Sequence, residues 1–341
     1  MRQKVVLVTG ANGEIGHGLI RHLAENTNAN IVALDVVPLD KVLRPLCQTY
    51  IVGDILDQML LGRLVVEHEI ATIYHLASIL STKAEYNPET AHRINVEGTM
   101  NLLRLAVEQS QWQKRPVKFI YPSSIAAYGI PSPEEKMKAG KVKEWQWNTP
   151  TTMYGCNKLY CEHLGRYYHS YYRQLAADCG NTETVDFRAI RFPGLISAET
   201  MPAGGTSDYG PEMLHSAANG EPYACFVRPD TTIPFMAMPD AVKALISLEA
   251  VHQERLTQLV YNVTSFSLSA QDIYDIVTNA FPDAEIQFEV DECRQNIIDT
   301  WPEVVDDSAA REDWGWKPDY DCDRSFNEYL IPAIRERYQK H

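Results

Sequence analysis

Val5-Val-Leu-Val-Thr-Gly-Ala-Asn-Gly-Glu-Ile-Gly16 is the stretch whose reading decides the fold. Its first four residues are a short, continuous apolar run, the pattern of a strand buried on both faces of a parallel sheet. Glycines follow at 10, 13 and 16, and then an amphipathic stretch runs through Ile20 and Leu23. Strand, glycine turn and helix together open a dinucleotide-binding unit. Glycines permit the tight turn and let a pyrophosphate approach the N–H groups at the helix N-terminus. The spacing is G-x-x-G-x-x-G rather than G-x-G-x-x-G, but the physics is the same. A second apolar run, Ile31-Val-Ala-Leu34, ends in Asp35, nineteen residues after Gly16. An acid there accepts hydrogen bonds from an adenosine ribose and repels a 2′-phosphate, so the expected cofactor is NAD rather than NADP.

The alternation continues outward from this unit. Strands are expected at 50–52, 72–76, 117–121 and 185–191, with a helix carrying Leu60, Leu61, Leu64 and Val65 and a long helix over about 88–111. Repeated βα units predict an α/β fold with a doubly wound parallel sheet, its ligand at the carboxyl ends of the strands. Asp54, Ala77-Ser78 and Ser123-Ser124 lie just past strand ends and are site candidates by topology. The stretch 130–148 reads as a polar loop, and 154–172 as a helix whose Leu164, Tyr168, Tyr171 and Tyr172 pack inward or on a partner helix.

After Phe192-Pro-Gly194 the alternation stops. A helix is expected near 239–252 and a strand at 259–263 returning to the main sheet, with Ser269 as an N-cap and Asp272 at the capping-box position. The predicted division is a nucleotide-binding domain over 1–191, to which 239–263 returns, and a smaller interleaved substrate domain from 192–238 and 264–341.

Composition narrows the class. Acidic residues outnumber basic ones by 45 to 31, a net charge of −14 spread along the chain. That disfavours a nucleic-acid surface. Seven cysteines without a CxxC pair fit reduced thiols rather than a disulfide or zinc framework. The ten histidines show no metal-ligand spacing, so no metal is expected. No window approaches a membrane-spanning length. With a strand-like run beginning at once after Lys4, a cytoplasmic protein is expected.

Thr149-Pro-Thr-Thr-Met-Tyr-Gly-Cys-Asn-Lys158 supplies the chemistry. Tyr154 and Lys158 are four residues apart, so a helix sets phenol and ammonium one turn apart on one face. A free phenol titrates near ~10, and a neighbouring cation is expected to lower that value and make Tyr154 a usable base. Such a pair takes the proton in an alcohol oxidation, while the hydride needs a cofactor. Cys156 inside this motif reads as a small helix residue.

These residues, with Gly10, Gly13, Gly16, Asp54 and Ser124, resemble the extended short-chain dehydrogenase/reductase family over most of the chain. The resemblance implies that Ser124 hydrogen-bonds the reacting oxygen, Tyr154 is the acid/base, and Lys158 also binds the nicotinamide ribose. It implies a cofactor site from Gly10, Asn12, Gly13, Glu14, Ile15, Gly16, Asp35, Asp54, Ile55, Leu76, Ala77, Ser78, Asn95, Tyr154, Lys158 and Pro193. Substrate contacts are expected from Ser81, Ser124, Tyr154, Gly194 and Thr206, and a homodimer through helices near 90–111 and 154–172.

A narrower resemblance joins Arg191-Phe-Pro-Gly-Leu-Ile-Ser197, Gly204-Gly-Thr-Ser-Asp-Tyr209, Tyr223-Ala-Cys-Phe226, Asp230-Thr-Thr-Ile-Pro-Phe-Met236 and the run from Trp301 to Trp316 to the short-chain L-threonine 3-dehydrogenases. It implies a hydroxy-amino acid substrate. The chain departs from that pattern in longer stretches at 136–147 and 176–183, in Ser207 where a second Thr is expected, and at 235–238. A sugar-nucleotide epimerase or dehydratase with retained NAD is the alternative, and a non-catalytic dinucleotide sensor a third reading. Against the epimerase, Arg191-Phe-Pro-Gly194 stands where those enzymes carry R-Y-F-N, whose Asn helps hold a diphosphate; neither proline nor glycine offers a side-chain hydrogen bond, and proline lacks an N–H as well. Against the sensor stands the intact Ser/Tyr/Lys set.

Overall fold

The structure is a computed structural model that describes residues 2–176, 184–202 and 204–339. In chain order β1 (Lys4–Thr9), α1 (Glu14–Asn26), β2 (Ile31–Asp35), β3 (Thr49–Val52), α2 (Gln58–Glu67) and β4 (Glu69–His75) form the first half of the sheet layer. Then come α3 (Ser81–Tyr86), α4 (Pro88–His92), α5 (Gly98–Gln113), β5 (Val117–Ser124), α6 (Pro133–Ala139), β6 (Lys141–Val142), α7 (Met153–Ser170), β7 (Val185–Phe192) and β8 (Gly194–Ile196). The remainder includes α8 (Tyr209–Asn219), β9 (Tyr223–Cys225), β10 (Thr232–Ala237), α9 (Met238–Ala250), β11 (Val260–Asn262), β12 (Phe266–Ser269), α10 (Ala270–Ala280), β13 (Ile286–Phe288) and α11 (Glu292–Asp299).

Seven parallel strands make the central sheet in the order β11-β7-β5-β4-β1-β2-β3. The order reverses beside β1, which opens a crevice at the carboxyl ends of β1 and β4. The sheet is buried on both faces, as its apolar runs require. One face packs Leu61, Leu64, Leu102, Leu103 and Phe187 between α2, α5 and the sheet. The other packs Leu19, Ile20, Leu23, Ala241 and Leu245 from α1 and α9. A third cluster around Tyr209, Met213, Phe235 and Ile273 belongs to the later elements, where β10 pairs antiparallel with β12 and parallel with β8.

The strand expected at 259–263 is β11, and it pairs with β7 in the main sheet. Ser269 caps α10 in a full capping box with Asp272. The expected long helix is present but is widened by a π-helical segment at Arg93–Glu97 between α4 and α5. Two expectations are corrected. The polar loop over 130–148 contains α6 and β6, with Lys136 and Glu144 buried. The Tyr/Lys helix ends at Ser170, so Tyr171 and Tyr172 lie beyond it, where Tyr172 stacks on Tyr168. The longer stretch expected at 176–183 lies outside the described residues apart from Ala176.

Candidate active site

Two clefts meet over the glycine turn. The first is lined by Gly10, Gly13, Glu14, Ile15, Gly16, Leu76, Ser78, Ser81, Ser124, Tyr154, Lys158, Pro193, Gly194 and Thr206. The second is lined by Gly10, Asn12, Gly13, Asp35, Asp54, Ile55, Leu76, Ala77 and Ser78. Gly10, Gly13, Leu76 and Ser78 border both, so the two form one bent groove across the sheet's switch point. Every site residue expected from the sequence borders it except Asn95. Asn95 is buried and acts through its neighbours, accepting from the N–H of Ile79 at 2.7 Å and from Ser78 Oγ at 3.2 Å. Asn95 thus fixes the loop carrying Ser78.

The glycine turn packs directly on the end of β4. Gly10 has φ 65°, and a Cβ there would stand 2.5 Å from the Ala77 backbone nitrogen. Only glycine permits both the left-handed conformation and the close approach of the two strand ends. Asp35 borders the second cleft, where its carboxylate accepts from the N–H of Asn12 at 2.9 Å and of Val37 at 3.2 Å. Beneath the turn His75 is clamped between Thr9 Oγ1 at 2.8 Å and Thr99 Oγ1 at 2.9 Å. Burial, then the charge of Lys158, pushes His75 down to about 3, so it stays neutral and tethers the ends of β1 and β4.

The groups expected to react, Ser124, Tyr154 and Lys158, come from β5 and α7. Thr152 caps α7, its hydroxyl accepting from the N–H of Gly155 at 3.0 Å. A Cβ at Gly155 would lie 2.1 Å from the Ala126 carbonyl oxygen. Glycine here therefore lets the helix dock on the turn that follows Ser124. The Ser124 hydroxyl accepts from the Ala126 N–H at 3.1 Å, which leaves its proton for the Tyr154 phenol. Lys158 is buried and donates to the Pro122 carbonyl at 2.7 Å. Its ammonium stands 5.4 Å from the Tyr154 ring and 4.7 Å from the Tyr121 ring.

The expected lowering of the phenol is corrected. Burial raises Tyr154, and only the Ser124 hydrogen bond works downward. Burial likewise draws Lys158 down to about 8. Removal from water is the largest cause for both groups, and it depends on three-dimensional burial rather than on spacing along the helix.

The opposite wall comes from the Gly-Gly-Thr turn. Asp208 accepts from the N–H groups of Gly204 and Gly205 at 2.9 and 2.6 Å. Thr206 is thereby held with its N–H and hydroxyl each 2.9 Å from Ser81 Oγ, and both residues are buried. Glu14, in the first turn of α1, lines the same cleft; burial and then Asp208 raise it to about 7.

The sequence offered no site role for Phe192, Leu195 or Trp301, all of which line the first cleft together with Ser123, a candidate by topology. Trp301 arrives from a distant turn after α11, and only its place in the run from Trp301 to Trp316 hinted at it. Among the described residues no cluster of three or more His, Cys, Asp or Glu could hold a metal. Nor is any helix among them long and apolar enough to cross a membrane.

Comparison with known proteins agrees with this geometry. Residues 6–264 match the NAD dependent epimerase/dehydratase family. The chain is 33% identical over 321 residues to a mitochondrial L-threonine 3-dehydrogenase of Bos taurus, covering 94% of this chain and 80% of the bovine one. It superposes on an L-threonine dehydrogenase of Clostridium difficile with TM-score 0.85 and 32% identity, covering 99% of each chain. It is also similar to a monomeric L-threonine 3-dehydrogenase from a metagenome, with TM-score 0.84 and 34% identity over 98% of this chain and 100% of that one. A glycine turn built for a dinucleotide, a Ser/Tyr/Lys set beside it and these likenesses lead to one conclusion: the chain belongs to the NAD dependent epimerase/dehydratase family.

Proposed function

We propose that this protein oxidises the 3-hydroxyl of L-threonine to a ketone, giving 2-amino-3-ketobutyrate, with NAD as the oxidant. The observation that carries the reading is the hydrogen-bonded Ser124–Tyr154 pair with Lys158, facing a cleft whose other wall is the Ser81–Thr206 pair. NAD in the bent groove supplies the hydride acceptor. Tyr154 takes the hydroxyl proton as the C–H bond gives up its hydride and the C=O forms. Ser124, its oxygen held by the Ala126 N–H, orients the reacting oxygen. Lys158, held by the Pro122 carbonyl one helical turn along from Tyr154, is placed to bind the nicotinamide ribose.

Residues 1–191 with 239–263 serve the cofactor in this reading, and 192–238 with 264–341 close over the substrate. Ser81 and Thr206 offer hydroxyls to the charged ends of a small amino acid, which need partners once out of water. The first cleft, at about 270 Å³, is at the small end for a ligand site and suits an amino acid beside a nicotinamide ring better than a sugar nucleotide. The likeness to L-threonine dehydrogenases over nearly the whole chain supports the same choice.

Tyr154→Phe tests the chemistry. It removes the proton acceptor and keeps the ring, so turnover should fall by about two to four decades while NAD binding is retained. Wild-type turnover in that variant would exclude Tyr154 as the base.

A further inference from the structure

On α7, Tyr154, Lys158 and Glu162 follow one another at four-residue intervals and share a face. Glu162 is 4% exposed, and its two oxygens take a bidentate bond from Arg191 of β7, Nε to Oε1 at 2.8 Å and Nη2 to Oε2 at 2.6 Å. Arg191, itself 1% exposed, reaches onward to the Glu144 carbonyl at 3.0 Å and Asn148 Oδ1 at 2.9 Å, and its guanidinium lies 4.6 Å from the Tyr128 ring. Ser123, immediately before Ser124, donates to Glu162 Oε1 at 2.5 Å. Lys158 binds the carbonyl of Pro122, one residue earlier.

Two successive turns of α7 are thus tied to the two residues that precede Ser124. Stability alone is a weak reason for such an arrangement, because apolar residues often replace a buried ion pair at no loss. The ties instead set the separation between Ser124 on the strand and Tyr154 on the helix.

The charge has a second consequence. Lys158 is faced by His75 from β4, by Tyr121 from β5, and by Tyr154, Cys161 and Glu162 from its own helix. His75 is neutral, and burial raises Tyr121, Tyr154 and Cys161 so that they too stay uncharged near neutral pH. Glu162 is left as the ionised group that opposes the loss of the Lys158 proton.

We propose that Glu162, clamped by Arg191, is a positioning residue that sets the Ser124–Tyr154 geometry and supplies the counter-charge that keeps Lys158 an ammonium. The inference rests on the proposed roles of those three residues.

Profiles of kcat against pH with L-threonine and NAD test it, with circular dichroism to verify folding. Glu162→Gln should lower kcat about tenfold, as small misplacements do, with KM for NAD little changed. Its alkaline limb should move down by about one pH unit, because a charge favouring the ammonium is gone. Glu162→Asp, which keeps the charge, should leave that limb in place. Ser123→Ala should lower kcat severalfold with no shift. If Glu162→Gln does not fold, the double variant Glu162→Gln/Arg191→Gln, with no unpaired buried charge, tests the positioning through kcat, which should fall about tenfold; it removes a positive charge with the negative one, so its alkaline limb should move less. An alkaline limb at the wild-type position in Glu162→Gln, or wild-type kcat in the double variant, with Tyr154→Phe inactive, overturns this inference alone. Wild-type turnover in Tyr154→Phe overturns the reading beneath it.

Discussion

Replacing Glu14 by Gln should stabilise the free protein, and do so increasingly as pH rises. Glu14 begins α1 and faces the cleft; burial first, then Asp208, raises its carboxyl from 4.5 to about 7. A carboxyl raised on folding stays protonated in the native state at a pH where the unfolded chain has already released the proton. Between pH 4.5 and about 7 the native state therefore binds more protons, and stability falls as pH rises through that window. Above it the full penalty is present. Two and a half units at about 1.36 kcal/mol each set a ceiling of about 3 kcal/mol, reduced by whatever water reaches the carboxyl from the cleft. Gln keeps the shape and cannot ionise. Urea unfolding of both proteins at pH 5, 6, 7 and 8, without cofactor, gives the difference directly. It should be small at pH 5 and approach about 2–3 kcal/mol at pH 8. A difference that stays constant across the series would refute the assignment.

Two further outcomes follow from the same geometry. Asp35→Ala should narrow the preference for NAD over NADP by about tenfold or more, since a carboxylate no longer faces the extra phosphate; ratios of kcat/KM for the two cofactors measure it. Gly155→Ala sets a methyl group against the Ala126 carbonyl, which must push α7 away from the turn after Ser124. We expect about a hundredfold loss in kcat together with about 1–3 kcal/mol of stability, read by initial rates and by urea melts.

Much of this was legible from the chain because the signals were local. Val5-Val-Leu-Val8, the spaced glycines and Asp35 each announce their place in a βαβ unit within a few residues, and the repeated βα units announce a doubly wound parallel sheet. Tyr154 and Lys158 declare themselves by one helical turn. The misses share a different cause. Glu162 and Arg191 belong to different elements, and only the fold joins them in a buried pair. The raised phenol of Tyr154 is a property of burial, which sequence proximity to Lys158 could not reveal. Lys136 looked solvated in a polar stretch, yet it is buried and its ammonium reaches the Ile298 carbonyl. Here a local signal was available. Ser132-Pro133-Glu134-Glu135 has a cap residue, a proline at the first helical position and an acid at the third, and Ser132 does cap α6.

The central claim is a small hydroxy-amino acid oxidised at the expense of NAD. The most direct measurement follows NADH absorbance on mixing purified protein, NAD and L-threonine, alongside L-serine and a parallel assay for exchange of UDP-glucose with UDP-galactose. The account predicts steady NADH formation with L-threonine, slower formation with L-serine for want of the methyl contact, and no sugar exchange. Absence of NADH with L-threonine at every concentration, while a UDP-sugar raises the unfolding temperature as only a native-state ligand can, would contradict it.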